Sequence, residues 1–167
     1  FGAGHCCLPI GGGQPAGGQK VAFILKQNDN GTLTKINVSG SNPPDTGLGF
    51  YGAAWGADKF VIVGRKNLGV MILRKSSNYQ TWEPRKAIPG LGYNAAQSIA
   101  YGNGLWVVGG DGGIFTINDA DLESNQDWTS RYGDGDNSPD IRALAYKNGI
   151  FVGLARPYDS KASTLIT

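Results

Sequence analysis

The sequence contains few of the residues on which most metal centres and histidine-dependent enzymes rely. It has one histidine, His5, and two cysteines, the adjacent Cys6 and Cys7. Adjacent cysteines suit neither an ordinary disulfide framework nor a zinc site. We interpret them as two strand residues whose side chains face opposite ways. The sequence therefore marks no metal site and no catalytic triad, and we expect no metal and no cofactor.

Charge and long hydrophobic runs are also scarce. Charged residues make up 17% of the 167 residues, and the net charge is +2, whereas average proteins are about one quarter charged. No run of Lys or Arg exceeds two residues, and no apolar run approaches the ~20 residues of a membrane span. We therefore expect no nucleic-acid partner and no membrane insertion. The sequence begins at Phe1 rather than Met, which favours a processed product or a segment of a longer chain.

Glycine, by contrast, is abundant, with 27 residues, and it lies between short apolar runs where tight turns belong. The stretch Ser98 to Ile117 shows the pattern best. Asn103-Gly104 is a dipeptide that tolerates positive φ at both central turn positions, and Asp111-Gly112-Gly113 predicts a second turn. The segments between these turns are apolar, β-branched or aromatic. This stretch therefore predicts two hairpins in succession.

The same pattern recurs along the chain, with an aromatic residue at Phe1, Trp55, Tyr101 and Tyr146. Four short strands per ~45 residues are typical of propeller blades. We predict an all-β, β-propeller-type domain over residues 1–167, with about four repeats of four-stranded antiparallel blades. The predicted repeats are about 1–40, 48–86, 95–132 and 140–167. The predicted core residues are Val21, Val61, Val63, Ile72, Trp106, Val108, Phe115, Ile117 and Phe151.

The first repeat lacks its first strand and the last lacks its fourth, so two of the predicted blades are incomplete. This favours a fragment of a larger propeller, and the alternative is an unusual small ring. A single helical turn over Asp119 to Ser124 is the one departure from β structure that the sequence suggests.

Two motifs carry a resemblance to a known family. The first is Ala-Tyr-Gly-Asn-Gly-Leu-Trp-Val-Val-Gly-Gly-Asp-Gly-Gly-Ile-Phe-Thr at residues 100–116, and the second is Ser-x-Asn-x-x-Thr-Trp at residues 76–82. Together they resemble the sialidase-like β-propellers with Asp-box, or BNR, repeats, in the form common in bacteriophage tail and virion proteins. The resemblance implies that the box remnant, made of Ser76, Asn78, Thr81 and Trp82, is a structural turn. In the first repeat, Asp29 and Gly31 occupy the corresponding place.

The catalytic residues of sialidases have no convincing counterpart in this sequence. Such enzymes resemble one another in an arginine triad, a Tyr/Glu nucleophile pair and an early Arg-Ile-Pro motif, whereas the arginines here are scattered. We therefore predict no catalytic residue. Asp111 and the segment Asp134 to Ser138 are interpreted as Asp-Gly turns rather than Ca²⁺ loops, because Pro139 stands where an EF-hand needs Gly. Four tyrosines are candidates for carbohydrate binding, with ordinary packing as the alternative: Tyr79, Tyr93, Tyr132 and Tyr158.

These observations favour a non-enzymatic module of a bacteriophage tail or virion, with a structural or host-surface-binding role. Its expected partners are other virion or tail proteins, a second copy of the chain, or a cell-surface glycan. The alternatives are a degenerate sialidase-like enzyme and a bacterial assembly factor with the same repeats. The expected location is the virion, and the alternative is extracellular or periplasmic.

Overall fold

Short turns fold the chain back on itself at regular intervals, and the strands on either side of each turn pair antiparallel. The structure is a computed structural model that describes residues 23–37, 50–64, 70–74, 88, 96–122, 128–132, 139–156 and 164–166. All the strand pairs in these ranges are antiparallel. The one helix within them, α1 (Asp119–Leu122), has four residues and is too short to cross a membrane. The prediction of an all-β chain is confirmed, as is the single turn at Asp119.

The described strands form four separate sheets, none of which closes on itself, and each sheet pairs its strands in chain order. The first sheet contains β1 (Phe23–Gln27) and β2 (Leu33–Asn37). The second contains β3 (Phe50–Gly56), β4 (Lys59–Gly64) and β5 (Val70–Arg74). The third contains β6 (Ala96–Gly102), β7 (Leu105–Gly110), β8 (Gly113–Asn118) and β9 (Thr129–Tyr132). The fourth contains β10 (Asp140–Lys147), β11 (Ile150–Arg156) and β12 (Thr164–Ile166).

The turn between the first two strands has the same backbone conformation in the second, third and fourth sheets. Both central residues have positive φ, as the type I′ turn predicted at Asn103-Gly104 requires. The pairs are Ala57 and Asp58 (45° and 57°), Asn103 and Gly104 (49° and 75°), and Asn148 and Gly149 (51° and 85°).

The second, third and fourth sheets each have one face that carries a pair of aromatic rings. Residues directly opposite each other in an antiparallel pair lie on the same face, and here both are aromatic. The ring centroids are 4.4 Å apart for Trp55 and Phe60, 4.5 Å for Tyr101 and Trp106, and 4.6 Å for Tyr146 and Phe151. We call this side of each sheet its aromatic face.

The opposite side, which we call the receiving face, carries a glycine next to the aromatic residue in the second and third sheets. Gly56 lies against the ring of Tyr101, and Gly102 lies against the ring of Tyr146. A methyl group on either glycine would overlap the ring. The aromatic faces of the third and fourth sheets therefore pack on the receiving face of the sheet before them, and β10 contacts β6 and β7 as β6 contacts β3 and β4.

A partly buried ion pair adds to the junction between the second and third sheets. Lys59 Nζ lies 2.8 Å from Asp119 Oδ1, and that oxygen also accepts a hydrogen bond of 2.8 Å from Trp106 Nε1. A lysine is rarely buried unless it is paired. The carboxylate of Asp119 thus satisfies a cation from one sheet and an indole N–H from the next.

Six of the nine predicted core residues are buried: Val61, Val63, Trp106, Val108, Phe115 and Ile117. Phe151 is only half-buried, so its placement in the core was wrong. Its counterpart Trp106 donates a hydrogen bond to Asp119 at the start of α1, and the described part of the fourth sheet has no such helix. Val21 lies outside the described residues, and only the backbone of Ile72 is described. Leu122 and Ile141 are fully buried, and the repeat pattern did not single them out.

The Asp-box remnant falls on a part of the chain that the structure does not describe. Ser76, Asn78, Thr81 and Trp82 lie outside the described residues, so their structural role stays a prediction. In the turn between β1 and β2, Asn30 Oδ1 accepts a 3.0 Å hydrogen bond from the backbone N–H of Thr32. This contact, in which an Asn side chain accepts a hydrogen bond from the backbone two residues on, is an Asx turn.

Replacing Ala57 by Asn should stabilise the protein. Ala57 has a φ of 45°, a conformation that costs an ordinary L-residue about 1–2 kcal/mol and that Asn tolerates better. We expect a gain of about 1 kcal/mol in the free energy of unfolding, measured by urea denaturation. The reciprocal variant Asn103→Ala should lose a similar amount, and equal stabilities for both variants and the wild type would contradict the turn assignment.

Replacing Gly102 by Ala should destabilise the protein, because the added methyl group would meet the ring of Tyr146. We expect a loss of about 1–3 kcal/mol, the range for overpacking, measured by the same denaturation. Lys147 occupies the position equivalent to Gly102 in the fourth sheet and is exposed. Lys147→Ala should therefore change stability by less than about 0.5 kcal/mol, as exposed substitutions do. If Gly102→Ala left the stability unchanged, the ring of Tyr146 would not lie against Gly102.

Candidate functional site

A β-bulge interrupts the first strand of the second, third and fourth sheets at equivalent places. The register shifts lie between Phe50 and Gly52, between Ala96 and Ser98, and between Ile141 and Ala143. A bulge inserts one unpaired residue and redirects its side chain, and bulges are common beside active sites. The inserted residues are Tyr51, Gln97 and Arg142, spaced as the aromatic residues are, and we call them the bulge row.

Contacts of the neighbouring residues show that consecutive bulges lie against one another. A methyl group on Gly52 would lie 3.0 Å from Ser98 Cα and 3.1 Å from the carbonyl oxygen of Gln97. Ser98 Oγ in turn donates a buried hydrogen bond of 3.2 Å to the carbonyl oxygen of Ile141. The second bulge therefore touches both the first and the third, and the bulge row is continuous across three sheets.

The side chains of the bulge row reach solvent. Tyr51 is 42% exposed and Arg142 has a side chain that is 47% exposed, while Gln97 is half-buried. A phenol ring, an amide and a guanidinium group offer one flat apolar surface and several hydrogen-bond donors. The row could therefore bind a hydroxyl-rich ligand.

Two carboxyl groups lie beside Arg142. Asp111, in the turn between β7 and β8, forms an isolated bridge with Asp140 at the start of β10. Asp140 pairs with Arg142 through Oδ2. Burial, the hydrogen bond to Asp111 and the negative charge of Asp111 raise the pKa of Asp140 to about 6, although Arg142 opposes the shift.

Of the four tyrosines predicted to bind carbohydrate, the structure describes Tyr132. It lies on β9 opposite Ile114 and is 50% exposed. Ile114 follows Gly113, which pairs with Gly110, and Gly110 pairs with Ala96 beside Gln97. Tyr132 is therefore at the same end of the third sheet as the bulge row. Tyr79, Tyr93 and Tyr158 lie outside the described residues and remain predictions.

Metal binding gains no support from the side chains that the structure describes. Within the described ranges, no three His, Cys, Asp or Glu side chains come together in a way that could hold a metal ion. The segment Asp134 to Ser138 lies outside those ranges. Asp111 does lie in a turn, as predicted, and its contact with Asp140 was not anticipated.

Comparison with known proteins adds little to this geometry. No family model and no curated protein matches the chain. Among solved structures, the crystal structure of the computationally designed Ika4 protein is similar at 12% sequence identity and a TM-score of 0.34. That match covers 74% of this chain and 93% of the designed chain. A likeness this weak carries no argument about fold or function.

The Asp140 carboxyl should make stability depend on pH. Its pKa is about 6 in the folded protein, against an ordinary value of 3.8, so the folded state binds a proton more tightly than the unfolded state. The contribution of this carboxyl to the free energy of unfolding should therefore be greatest below pH ~4 and should decrease as the pH rises through ~6. Asp140→Asn should remove this fall and raise stability at pH 7 by about 1–2 kcal/mol, allowing for the lost pairing with Arg142.

Urea denaturation of wild type and Asp140→Asn at several pH values would measure this. Asp29→Asn, at an exposed carboxyl in the β1–β2 turn, is the matched control and should keep the wild-type pH dependence. Parallel curves for wild type and Asp140→Asn would contradict the assignment.

Proposed function

We propose that the chain is a non-enzymatic binding module, of β-propeller type, whose bulge row contacts a carbohydrate chain. In this proposal each sheet is one blade, and the bulges of consecutive blades form one continuous surface. The observation that carries the proposal is the contact of the three bulges, through Gly52 with Gln97 and through Ser98 with Ile141. The proposed setting is the surface of a bacteriophage tail or virion, which the sequence resemblance supports.

The chemistry of the row suits a sugar better than a charged or a purely apolar ligand. The exposed ring of Tyr51 can stack on the C–H face of a pyranose. The amide of Gln97 can donate and accept hydrogen bonds with hydroxyl groups, and the remaining donors of Arg142 can add to these. Asp140 neutralises much of the charge of Arg142, so a neutral glycan needs no compensating anion.

A glycan-active enzyme is the second candidate, because Asp140 lies beside Asp111 and has a raised pKa, and perturbed pKa values are enriched at active sites. Their separation argues against it. Asp111 and Asp140 face each other across an isolated β-bridge, and Asp140 already pairs with Arg142. Retaining glycosidases hold their two carboxyl groups about 5 Å apart, and inverting ones hold them farther apart, with the scissile bond between them.

Glycan-array binding followed by titration of the best ligand would test the proposal. Tyr51→Ala and Arg142→Ala should each weaken binding about tenfold, in line with the ~1.4 kcal/mol that a tenfold change represents. Lys147→Ala removes an exposed cation at the opposite end of the fourth sheet and should leave affinity unchanged. If Tyr132→Ala also weakens binding, Tyr132 belongs to the same binding surface as the bulge row.

Two results would reject the proposal. Binding that all the bulge-row variants leave intact would place the ligand elsewhere. Hydrolysis of an aryl glycoside that Asp140→Asn abolishes without unfolding the protein would favour the enzyme.

A further inference from the structure

Arg142, the cation of the bulge row, is held by a carboxyl group of its own strand. Its Nη2 atom pairs with Oδ2 of Asp140, two residues earlier on β10. The side chain of Arg142 is 47% exposed, whereas that of Asp140 is 17% exposed. A mostly buried carboxyl group therefore holds a guanidinium group that reaches solvent. Removing the charge of Asp140 would leave this arginine available to a ligand.

Asp140 lies at the junction of the third and fourth sheets, where three charged residues surround it. Asp111 faces it across the isolated bridge from the β7–β8 turn, and Arg142 pairs with it. The exposed Arg156 lies opposite it on β11. The strands β6, β7 and β8, which also pack against β10, contain no Asp, Glu, Lys, Arg or His. Among the described residues, one carboxyl and two guanidinium groups thus lie beside Asp140.

This environment makes Asp140 change its charge in mild acid. Burial raises its pKa to about 6, the hydrogen bond to Asp111 and the charge of Asp111 add to the rise, and Arg142 opposes it. Asp140 therefore carries its charge at neutral pH and loses most of it about one pH unit below that pKa. A neutral carboxyl group holds a guanidinium group less strongly than a carboxylate does. The pairing with Arg142 should weaken over the same range of pH.

We propose that Arg142 exchanges partners with pH: Asp140 holds it at neutral pH, and an anionic group of a carbohydrate chain takes the place of Asp140 in acid. This inference rests on the proposed function, because it needs the ligand to lie on the bulge row, and it adds a ligand class and a regulation. At neutral pH the row suits a neutral chain. In acid, the freed guanidinium group offers the paired donors that bind a sulfate or a carboxylate.

The exchange links the proton and the ligand in both directions. If a proton on Asp140 favours an anion at Arg142, the anion must favour the proton to the same extent. The physical reason is that the ligand takes away the cation that opposes protonation of Asp140. Binding of an anionic chain near neutral pH should therefore be accompanied by uptake of a proton. A purely structural role of Asp140 would not produce such an uptake.

Isothermal titration calorimetry with a short sulfated dextran oligosaccharide and its unsulfated counterpart tests the inference. Sulfate esters stay ionised in mild acid, so a change of affinity with pH comes from the protein. At one ionic strength, because salt screens charges, the sulfated ligand should bind the wild type at least about fivefold more tightly at about pH 5 than at about pH 7.5, the low end for coupled sites. The unsulfated ligand should bind about equally at both. Titrations near neutral pH in two buffers of different ionisation enthalpy measure the proton uptake.

Four variants assign the effect to the two residues. Asp140→Asn should bind the sulfated ligand at both pH values as tightly as the wild type does in acid, without proton uptake. Arg142→Gln should abolish the pH dependence. Asp29→Asn and Lys147→Gln each remove an exposed charge elsewhere and should behave as the wild type does. These two controls allow for the general gain of positive charge by any protein in acid.

Equal affinities of the wild type for the sulfated ligand at both pH values would overturn the inference, as would a pH dependence that Arg142→Gln retains. If the unsulfated ligand nevertheless binds and Tyr51→Ala weakens it, the carbohydrate proposal stands without the exchange. If only the sulfated ligand binds, in acid and through Arg142, the exchange is supported and the neutral glycan is rejected. If neither ligand binds, both proposals fail.

Discussion

The contact of an aromatic ring with a glycine of the preceding sheet determines how the sheets are arranged. Because glycine has no Cβ, the rings of Tyr101 and Tyr146 can lie directly on the backbone at Gly56 and Gly102. This sets the distance between the first strands of neighbouring sheets. The bulges lie on those same strands, so the spacing of the bulge row follows from the ring–glycine contacts. A substitution at either glycine would therefore disturb the candidate site as well as the core.

The turn end and the bulge end of the sheets differ in their electrostatics. At the turn end, Lys59 and Asp119 are opposite charges that share a partly buried contact with Trp106, and each satisfies the other. At the bulge end, burial and the neighbouring carboxyl of Asp111 raise the pKa of Asp140, so ionising Asp140 is less favourable in the folded state. Unfavourable electrostatics that persist in a fold are more common at functional sites than elsewhere. This contrast is a reason to look for ligand binding at the bulge end.

The sequence predicts the strands and turns well because their causes are local. Asn103-Gly104 predicts its own turn, and the apolar, β-branched and aromatic residues around Trp106 predict a buried strand. Ala57-Asp58 is a poor turn sequence, and only its place in the repeat, where Asn-Gly stands in the next two sheets, indicates the same turn. The half-burial of Phe151 could not be foreseen, because it depends on whether a segment such as α1 covers the sheet. The contact of Asp111 with Asp140 depends on two sheets coming together, and no local spacing encodes it.

The bulge row was missed for a different reason. A bulge breaks the two-residue alternation by which strand faces are read, so Tyr51, Gln97 and Arg142 look like irregularities at the start of each strand. Their spacing, however, equals that of the aromatic residues that open each repeat, and that signal was present in the sequence. The residues of the bulge row keep the repeat spacing but differ in chemistry. The packing that requires an aromatic residue or a glycine at the other repeated positions does not act on them. Those are the positions at which a repeat scaffold can change what it binds without changing its fold.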